Sequence, residues 1–282
     1  MKCHCSPRKL FPRKLSLASA RGSALIALKA YFDGSYTGRA WTEGGFLTLA
    51  GFAAEESIWT DFDCEWQRIL TDDRSRPRAS YLHMREAAHL KGEFSIRNGW
   101  NLRKVESLIV DLLRYFQTLD KQRFRQFACT VDLSAHERLA AEGLKLEDPI
   151  SRCNRSCPEI VLAWYATKYP GIVHSLHYYF DQEEPFEERF REKCDEEKNK
   201  KLGVSASEMF WSLIRTVANA DMRVTPPLQA ADLLAWASNR SASKKVGEAS
   251  FTQVEPFMKN LIPSTWSFWG EPELRQGRMI KP

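Results

Sequence analysis

The stretch Ala27-Leu-Lys-Ala-Tyr-Phe-Asp-Gly-Ser35 is the strongest indication of the fold in this sequence. Residues 24–32 are apolar except for Lys29, and a short apolar run closed by Asp-Gly is typical of a buried central β-strand. Asp33 then stands where the strand leaves the sheet, and Gly34 allows a sharp turn and the close approach of a ligand. Asp33 is therefore a candidate metal ligand, although a turn aspartate that caps its own backbone is the simpler interpretation of Asp-Gly taken alone.

The composition indicates a globular chain with its excess basic charge at the amino terminus. The 282 residues carry a net charge of +5. Six basic residues and no acid fall in the first 21 positions, so +5 less these six leaves a body near −1. A near-neutral body gives no general electrostatic argument for nucleic-acid binding, and any such site must be local. No apolar run reaches the ~20 residues that a membrane span needs.

The cysteines and the terminal segments give expectations about location and domain organisation. Seven cysteines, an odd number spread thinly, favour a reducing compartment, so we expect a cytoplasmic protein. Residues 1–22 are expected to be a disordered basic tail, while a transit peptide and a wrongly chosen start codon remain alternatives. We expect residues 23–245 to form the main domain and residues 246–282 to form an extension packed on it.

The apolar periods predict a hairpin followed by alternating helices and strands. The predicted strands cover 25–32, 46–53, 124–133, 172–180 and, less regularly, 209–217. Residues 80–88 are predicted to begin as a short strand and to turn helical. The predicted helices cover 56–70, 102–119, 158–169, 185–201 and 226–239. Alternation after an initial hairpin predicts an α/β fold with a mixed sheet and helices on both faces.

A second stretch, Pro226-Pro-Leu-Gln-Ala-Ala-Asp-Leu-Leu-Ala-Trp236, places a carboxylate on or beside the apolar stripe of a helix. A buried carboxylate is costly unless it is paired or binds a cation. Two interpretations therefore remain for Asp232: a metal ligand, or an ion pair with Arg215 or Arg223. Gln229, three residues earlier, would orient the carboxylate if a metal is bound.

Two further acids, Asp132 and Asp181, also end predicted strands. With Asp33 and Asp232 they make a set of oxygen ligands, which suits Mg²⁺ or Mn²⁺ rather than zinc. Paired cations held by carboxylates are the apparatus of two-metal phosphodiester hydrolysis. The sequence leaves open whether Asp132 or Asp181 is the middle ligand. The stronger strand before Asp181 favours Asp181.

Four motifs within roughly residues 27–240 resemble the bacterial family named Domain of Unknown Function 3800. The motifs are Tyr31-Phe-Asp-Gly-Ser35, Leu49-Ala-Gly-Phe52, Tyr81-Leu-His-Met84 and Leu228-Gln-Ala-Ala-Asp-Leu233. The last is the most specific. The chain departs from the family pattern at Gly34, where the family usually has a second acid.

The resemblance implies a ribonuclease H-like mixed sheet flanked by helices and a metal-dependent nuclease activity. Asp33, Asp181 and Asp232 would hold Mg²⁺ or Mn²⁺ ions that act on the phosphodiester bonds of a nucleic acid. The superfamily often adds a fourth acid, and Glu86, with His83 beside it, is the candidate here. Both residues fit an ordinary short surface helix equally well.

The loss of the second acid at Gly34 favours an alternative function. In that alternative the chain is a non-catalytic ribonuclease H-like module that binds nucleic acid or a protein partner. A strand-transfer enzyme on the same metals is a weaker third possibility. In the catalytic interpretation Ser35, like Gln229, lies beside the ligands. The sequence indicates neither DNA nor RNA as the substrate, and no oligomeric state.

Overall fold

The computed structural model of the protein describes residues 26–37, 44–168, 174–182, 184–199, 211–245 and 266–277. The basic tail expected over residues 1–22 and most of the extension expected over 246–282 lie outside these ranges. Within them, no helix is both long and apolar enough to cross a membrane.

Six strands form one mixed sheet at the centre of the fold. They are β1 (Ile26–Tyr36), β2 (Phe46–Glu55), β3 (Phe124–Asp132), β4 (His174–Asp181), β5 (Ile214–Ala220) and β6 (Trp266–Trp269). Their order is β5-β4-β1-β2-β3-β6. The β1–β2 and β2–β3 pairs are antiparallel, whereas β1–β4, β4–β5 and β3–β6 are parallel. The predicted α/β fold with a mixed sheet is confirmed.

Helices cover both faces of the sheet. One core, on the first face, contains side chains from α1 (Glu56–Leu70), α2 (Met84–His89), α3 (Leu102–Thr118) and α8 (Pro226–Lys245). The core on the other face contains side chains from α4 (Leu133–Ala141), α5 (Pro149–Ser156), α6 (Pro158–Lys168), α7 (Phe186–Asn199) and α9 (Glu271–Gln276). Short 3₁₀ helices cover Gly92–Phe94, Ile96–Asn98 and Met222–Val224.

Side chains of β1 alternate between the two cores. Leu28, Ala30 and Phe32 belong to the second core, and Tyr31 belongs to the first. Because successive side chains of a strand point to opposite faces, Asp33 shares the face of Tyr31. That face is the one on which α8 packs. The central strand and the long buried helix therefore bring their two acids to the same side of the sheet.

The structure corrects the prediction at three places. No strand forms over residues 80–83, because the backbone N–H groups of Leu82 and Met84 donate to side chains of α8 instead of to a neighbouring strand. The strand predicted over 209–217 is β5, which begins only at Ile214. The unpredicted β6 is four residues long, too short to show a period, and it pairs with β3, so part of the expected extension belongs to the sheet.

Candidate functional site

The parallel register of β1 and β4 brings two strand-end acids together. Phe32 lies opposite Phe180, so Asp33 and Asp181 follow at the same edge of adjacent strands. Asp232 reaches this edge from α8, and its carboxyl group lies near that of Asp33, so that each affects the pKa of the other. About 200 positions separate the two residues in sequence.

Asp33 lies at the centre of the cluster and is 2% exposed. Its Oδ1 accepts a hydrogen bond of 2.8 Å from the N–H of Gly34, and its carboxyl group also hydrogen-bonds that of Glu184. Burial raises the pKa of Asp33 well above its ordinary value, and the charges of Glu184, Asp232 and Asp181 raise it further. In the described part of the chain no lysine or arginine pairs with it.

Glu184 is a site residue that the sequence analysis missed. Both of its carboxylate oxygens lie 3.0 Å from the N–H of Gly34. Burial raises its pKa to about 8, and the charge of Asp181 adds to the shift, while the hydrogen bond to Asp33 opposes it. Its signal in the sequence is the acidic run that follows β4, next to which the sequence analysis predicts only the helix over 185–201.

Asp232 is held by the backbone of the segment before α2. The N–H of Met84 donates to its Oδ2 at 2.5 Å. Burial raises the pKa of Asp232 to about 6, helped by the charge of Asp181 and opposed by His83 and by the Met84 N–H. The alternative ion pair with Arg215 or Arg223 does not form among the described residues. Asp232 is thus a buried acid of the cluster, with a peptide donor instead of a cation.

Asp181 is held in the same manner from a different segment. Its Oδ1 accepts a hydrogen bond of 3.2 Å from the N–H of Met222, in the 3₁₀ helix that precedes α8. Burial raises its pKa, whereas the N–H groups of Gln182 and Met222 and the charge of His83 lower it. Asp181 therefore belongs to the cluster, as the sequence analysis favoured.

Gln229 connects the two segments that hold these acids. Its Oε1 accepts hydrogen bonds from Trp66 Nε1 at 2.8 Å and from the N–H of Leu82 at 3.0 Å. Its Nε2 donates to the carbonyl oxygen of Met222 at 2.8 Å. None of these hydrogen bonds involves Asp232, although we expected Gln229 to orient that carboxylate. It positions the cluster indirectly, because it fixes the two segments whose peptide N–H groups hold Asp232 and Asp181.

His83 and Glu86 lie at the rim of the cluster. The charge of His83 acts on both Asp181 and Asp232, so the imidazole lies close to them. Glu86 Oε1 lies 3.6 Å from His83 Nδ1, and its Oε2 accepts from the hydroxyl of Tyr81 at 2.9 Å. Glu86 is therefore placed to orient His83 and Tyr81, and it contacts none of the clustered carboxylates.

Asp132 and Ser35 have other roles in the structure. Asp132 caps the N-terminus of α4, where its Oδ1 accepts a hydrogen bond of 2.8 Å from the N–H of Ala135. Its strand, β3, is separated from β1 by β2. The carbonyl oxygen of Ser35 accepts from Asn239 Nδ2 at 3.1 Å, which ties the end of β1 to α8.

The carboxylate oxygens of the cluster are the kind of ligand that a hard divalent cation prefers. The cluster offers buried carboxylate oxygens, and burial together with the neighbouring acids raises the pKa values of Asp33, Glu184 and Asp232. Among the described residues, however, no three His, Cys, Asp or Glu side chains are already arranged to hold a metal ion. Because raised pKa values favour the protonated form of an acid, a cation that binds here has to displace protons.

Comparisons with known proteins found no relative of this chain. No family model, no curated protein and no solved structure matches the chain. The resemblance to the Domain of Unknown Function 3800 family rests on the four motifs alone.

Proposed function

We propose that the protein is a metal-dependent nuclease with a ribonuclease H-like fold, which hydrolyses phosphodiester bonds of DNA or RNA. The observation that supports this proposal is the convergence of Asp33, Asp181, Glu184 and Asp232 at one edge of the sheet without a basic ion-pair partner among the described residues. A buried set of acids is unfavourable unless a cation compensates it. The order of the six strands, with β1 in the middle, is compatible with such a fold.

In this proposal the four carboxylates hold Mg²⁺ or Mn²⁺. When bound, such ions generate a hydroxide nucleophile and stabilise the charge on the leaving oxygen. The protein contributes rigid placement: peptide N–H groups fix Asp181 and Asp232, and Glu184 is anchored on the N–H of Gly34. Glu184 thereby supplies the acid that the family pattern has at position 34.

His83 has a separate role in the proposed reaction. Its side chain is 33% exposed, and its Nδ1 faces Glu86. That orientation leaves Nε2 to exchange a proton between the substrate and solvent, which is the usual task of a histidine beside a reacting phosphate.

The proposal is tested by the effect of cations on thermal stability. We expect Mg²⁺ or Mn²⁺ to raise the melting temperature of the wild type at pH 8, because a cation at a hundred times its Kd stabilises the folded state by about 2.7 kcal/mol. Asp232→Asn keeps the size of the side chain and removes its charge, so this variant should lose the cation effect. Asp132→Asn is the matched control and should keep it.

A nuclease assay on single- and double-stranded substrates completes the test. Cleavage that requires Mg²⁺ or Mn²⁺ and disappears in Asp232→Asn would support the proposal. A wild type with no cation-dependent stabilisation and no cleavage would leave the alternative of a non-catalytic binding module.

A further inference from the structure

The 3₁₀ helix Met222–Val224 is fixed against the carboxylate cluster. The N–H of Met222 donates to Asp181, and the carbonyl oxygen of Met222 accepts from Gln229. The next N–H, that of Arg223, donates to Asp221 Oδ1 at 2.9 Å. Three hydrogen bonds of adjacent backbone groups therefore fix the chain from which the Arg223 side chain extends.

Arg223 is exposed, and its guanidinium lies over the ring of Tyr81, 5.9 Å from the ring centroid. It forms no ion pair with a carboxylate of the described residues. By contrast, Arg74 pairs with Asp72 at 2.5 Å, and Arg76 pairs with Asp111 at 2.7 Å. Arg223 thus retains its donors for a ligand.

Tyr81 is a fixed support for this guanidinium. Its hydroxyl donates to Glu86, which also accepts from the N–H of Glu93 at 3.3 Å. Tyr81 is two residues from His83 and three from Met84, whose N–H holds Asp232. The Arg223–Tyr81 pair therefore lies at the rim of the cluster, between the two segments that position Asp181 and Asp232.

We propose that the Arg223–Tyr81 pair binds a backbone phosphate next to the one that faces the carboxylates, so that the substrate is a polynucleotide rather than a compound with a single phosphate. This inference rests on the proposed function. A guanidinium held over an aromatic ring presents its N–H donors to phosphate oxygens, and its charge offsets the repulsion between an acidic rim and a nucleic acid. Such a contact carries no base sequence information.

The inference is tested by binding, without cleavage as the readout. The probes are fluorescein-labelled DNA and RNA of 16 nucleotides, each single- and double-stranded, measured by fluorescence anisotropy in Ca²⁺ at several salt concentrations. Arg223→Ala should weaken binding about tenfold, the effect of one lost charge-assisted contact. The slope of log K against log salt should fall by roughly 0.7–0.9. Tyr81→Ala should weaken binding in the same direction, and Tyr81→Phe, which keeps the ring, should bind more tightly than Tyr81→Ala.

The matched control is Arg103→Ala, an exposed arginine at the beginning of α3 that forms no ion pair within the described ranges. It should bind as the wild type does. Equal affinities and equal salt slopes of wild type and Arg223→Ala would overturn the inference, and so would a wild type that binds none of these DNA and RNA probes. A specific loss in Arg223→Ala, found in a protein that cleaves no substrate, would support the inference while the proposed nuclease function fails.

A second readout applies if the wild type cleaves DNA. Bis(4-nitrophenyl) phosphate has one phosphodiester and no neighbouring phosphate. Arg223→Ala should lower kcat/KM for the oligonucleotide about tenfold and leave kcat/KM for the small diester unchanged. An equal loss on both substrates would contradict a contact to a second phosphate.

Discussion

The backbone N–H of Gly34 lies 3.0 Å from each carboxylate oxygen of Glu184, a residue 150 positions later in the chain. The glycine at position 34 therefore does not leave the cluster without a fourth acid. Its peptide N–H holds an acid from the β4–α7 connection instead. The absence of an acid after Asp33 is thus a weaker argument against metal binding than the sequence alone suggests.

Replacing Glu184 by glutamine should stabilise the cation-free protein at alkaline pH. Burial raises the pKa of Glu184 from 4.5 to about 8 in the folded state. The folded state therefore holds a proton that the unfolded state releases, and stability declines as the pH rises from about 4.5 to about 8. Glutamine avoids this decline, so we expect roughly 2 kcal/mol of added stability at pH 9 after allowance for screening.

Urea denaturation of wild type and Glu184→Gln in EDTA at pH 5 and pH 9 measures this difference. The two proteins should be similar at pH 5, where the glutamate is protonated. Added Mn²⁺ should stabilise the wild type more than the variant, because the variant lacks one ligand charge. A variant that is less stable than the wild type at both pH values would show that Glu184 is not a repelled acid.

Asp132→Ala should cost stability and leave the cation response intact. Asp132 satisfies the N–H of Ala135 as the N-cap of α4, and loss of such a cap typically costs about 1 kcal/mol. The melting temperature should fall by a few degrees, while the further shift caused by Mn²⁺ should equal that of the wild type. If Mn²⁺ no longer raised the melting temperature of the variant, Asp132 would have to be a metal ligand.

Gln229 offers a test of indirect positioning. Gln229→Glu keeps the acceptor for Trp66 and Leu82 but sets a carboxylate oxygen against the carbonyl of Met222. We expect a moderate loss of stability and a weaker response to Mn²⁺, since the Met222 N–H that holds Asp181 is displaced. Gln229→Leu removes all three hydrogen bonds and should cost about 3 kcal/mol or more.

Isothermal titration with Mn²⁺ separates a positioning role from a purely structural one. If Gln229 acts through the cluster, Gln229→Glu should bind Mn²⁺ several-fold more weakly even at a temperature where it is fully folded. Unchanged Mn²⁺ affinity in a folded variant would mean that the amide stabilises the core and does not tune the acids.

The strand-end acids Asp33 and Asp181 could be predicted because β1 and β4 are strongly apolar runs that stop at aspartate. The choice between Asp181 and Asp132 could not be made from the sequence, since it depends on which strand lies next to β1. The register of β1 with β4 and of β2 with β3 decides it. Strand neighbours are set by tertiary packing, which a local pattern does not contain.

Glu184 escaped prediction for a related reason. Its partner is a peptide N–H rather than a side chain, and peptide groups leave no mark in a sequence. The segment from Tyr81 to Met84 shows the same effect: its N–H groups bind Gln229 and Asp232, so residues with a mild strand pattern form no strand. Hydrogen bonds from the backbone to distant side chains are the part of this site that composition and periodicity do not reveal.

The position of β1 in the middle of the sheet also affects the order in which the protein can fold. β1 and β2 form a local hairpin pair, but β4, the β4–α7 connection and α8 contribute their acids from about 150 to 200 residues later. Contacts so distant in sequence form late and slow a folding reaction. During synthesis, Asp33 therefore leaves the ribosome long before Asp181, Glu184 and Asp232 can surround it. A cation site built from these four acids would assemble only as the last long-range pairings close, so cation binding would report the completed fold and not its intermediates.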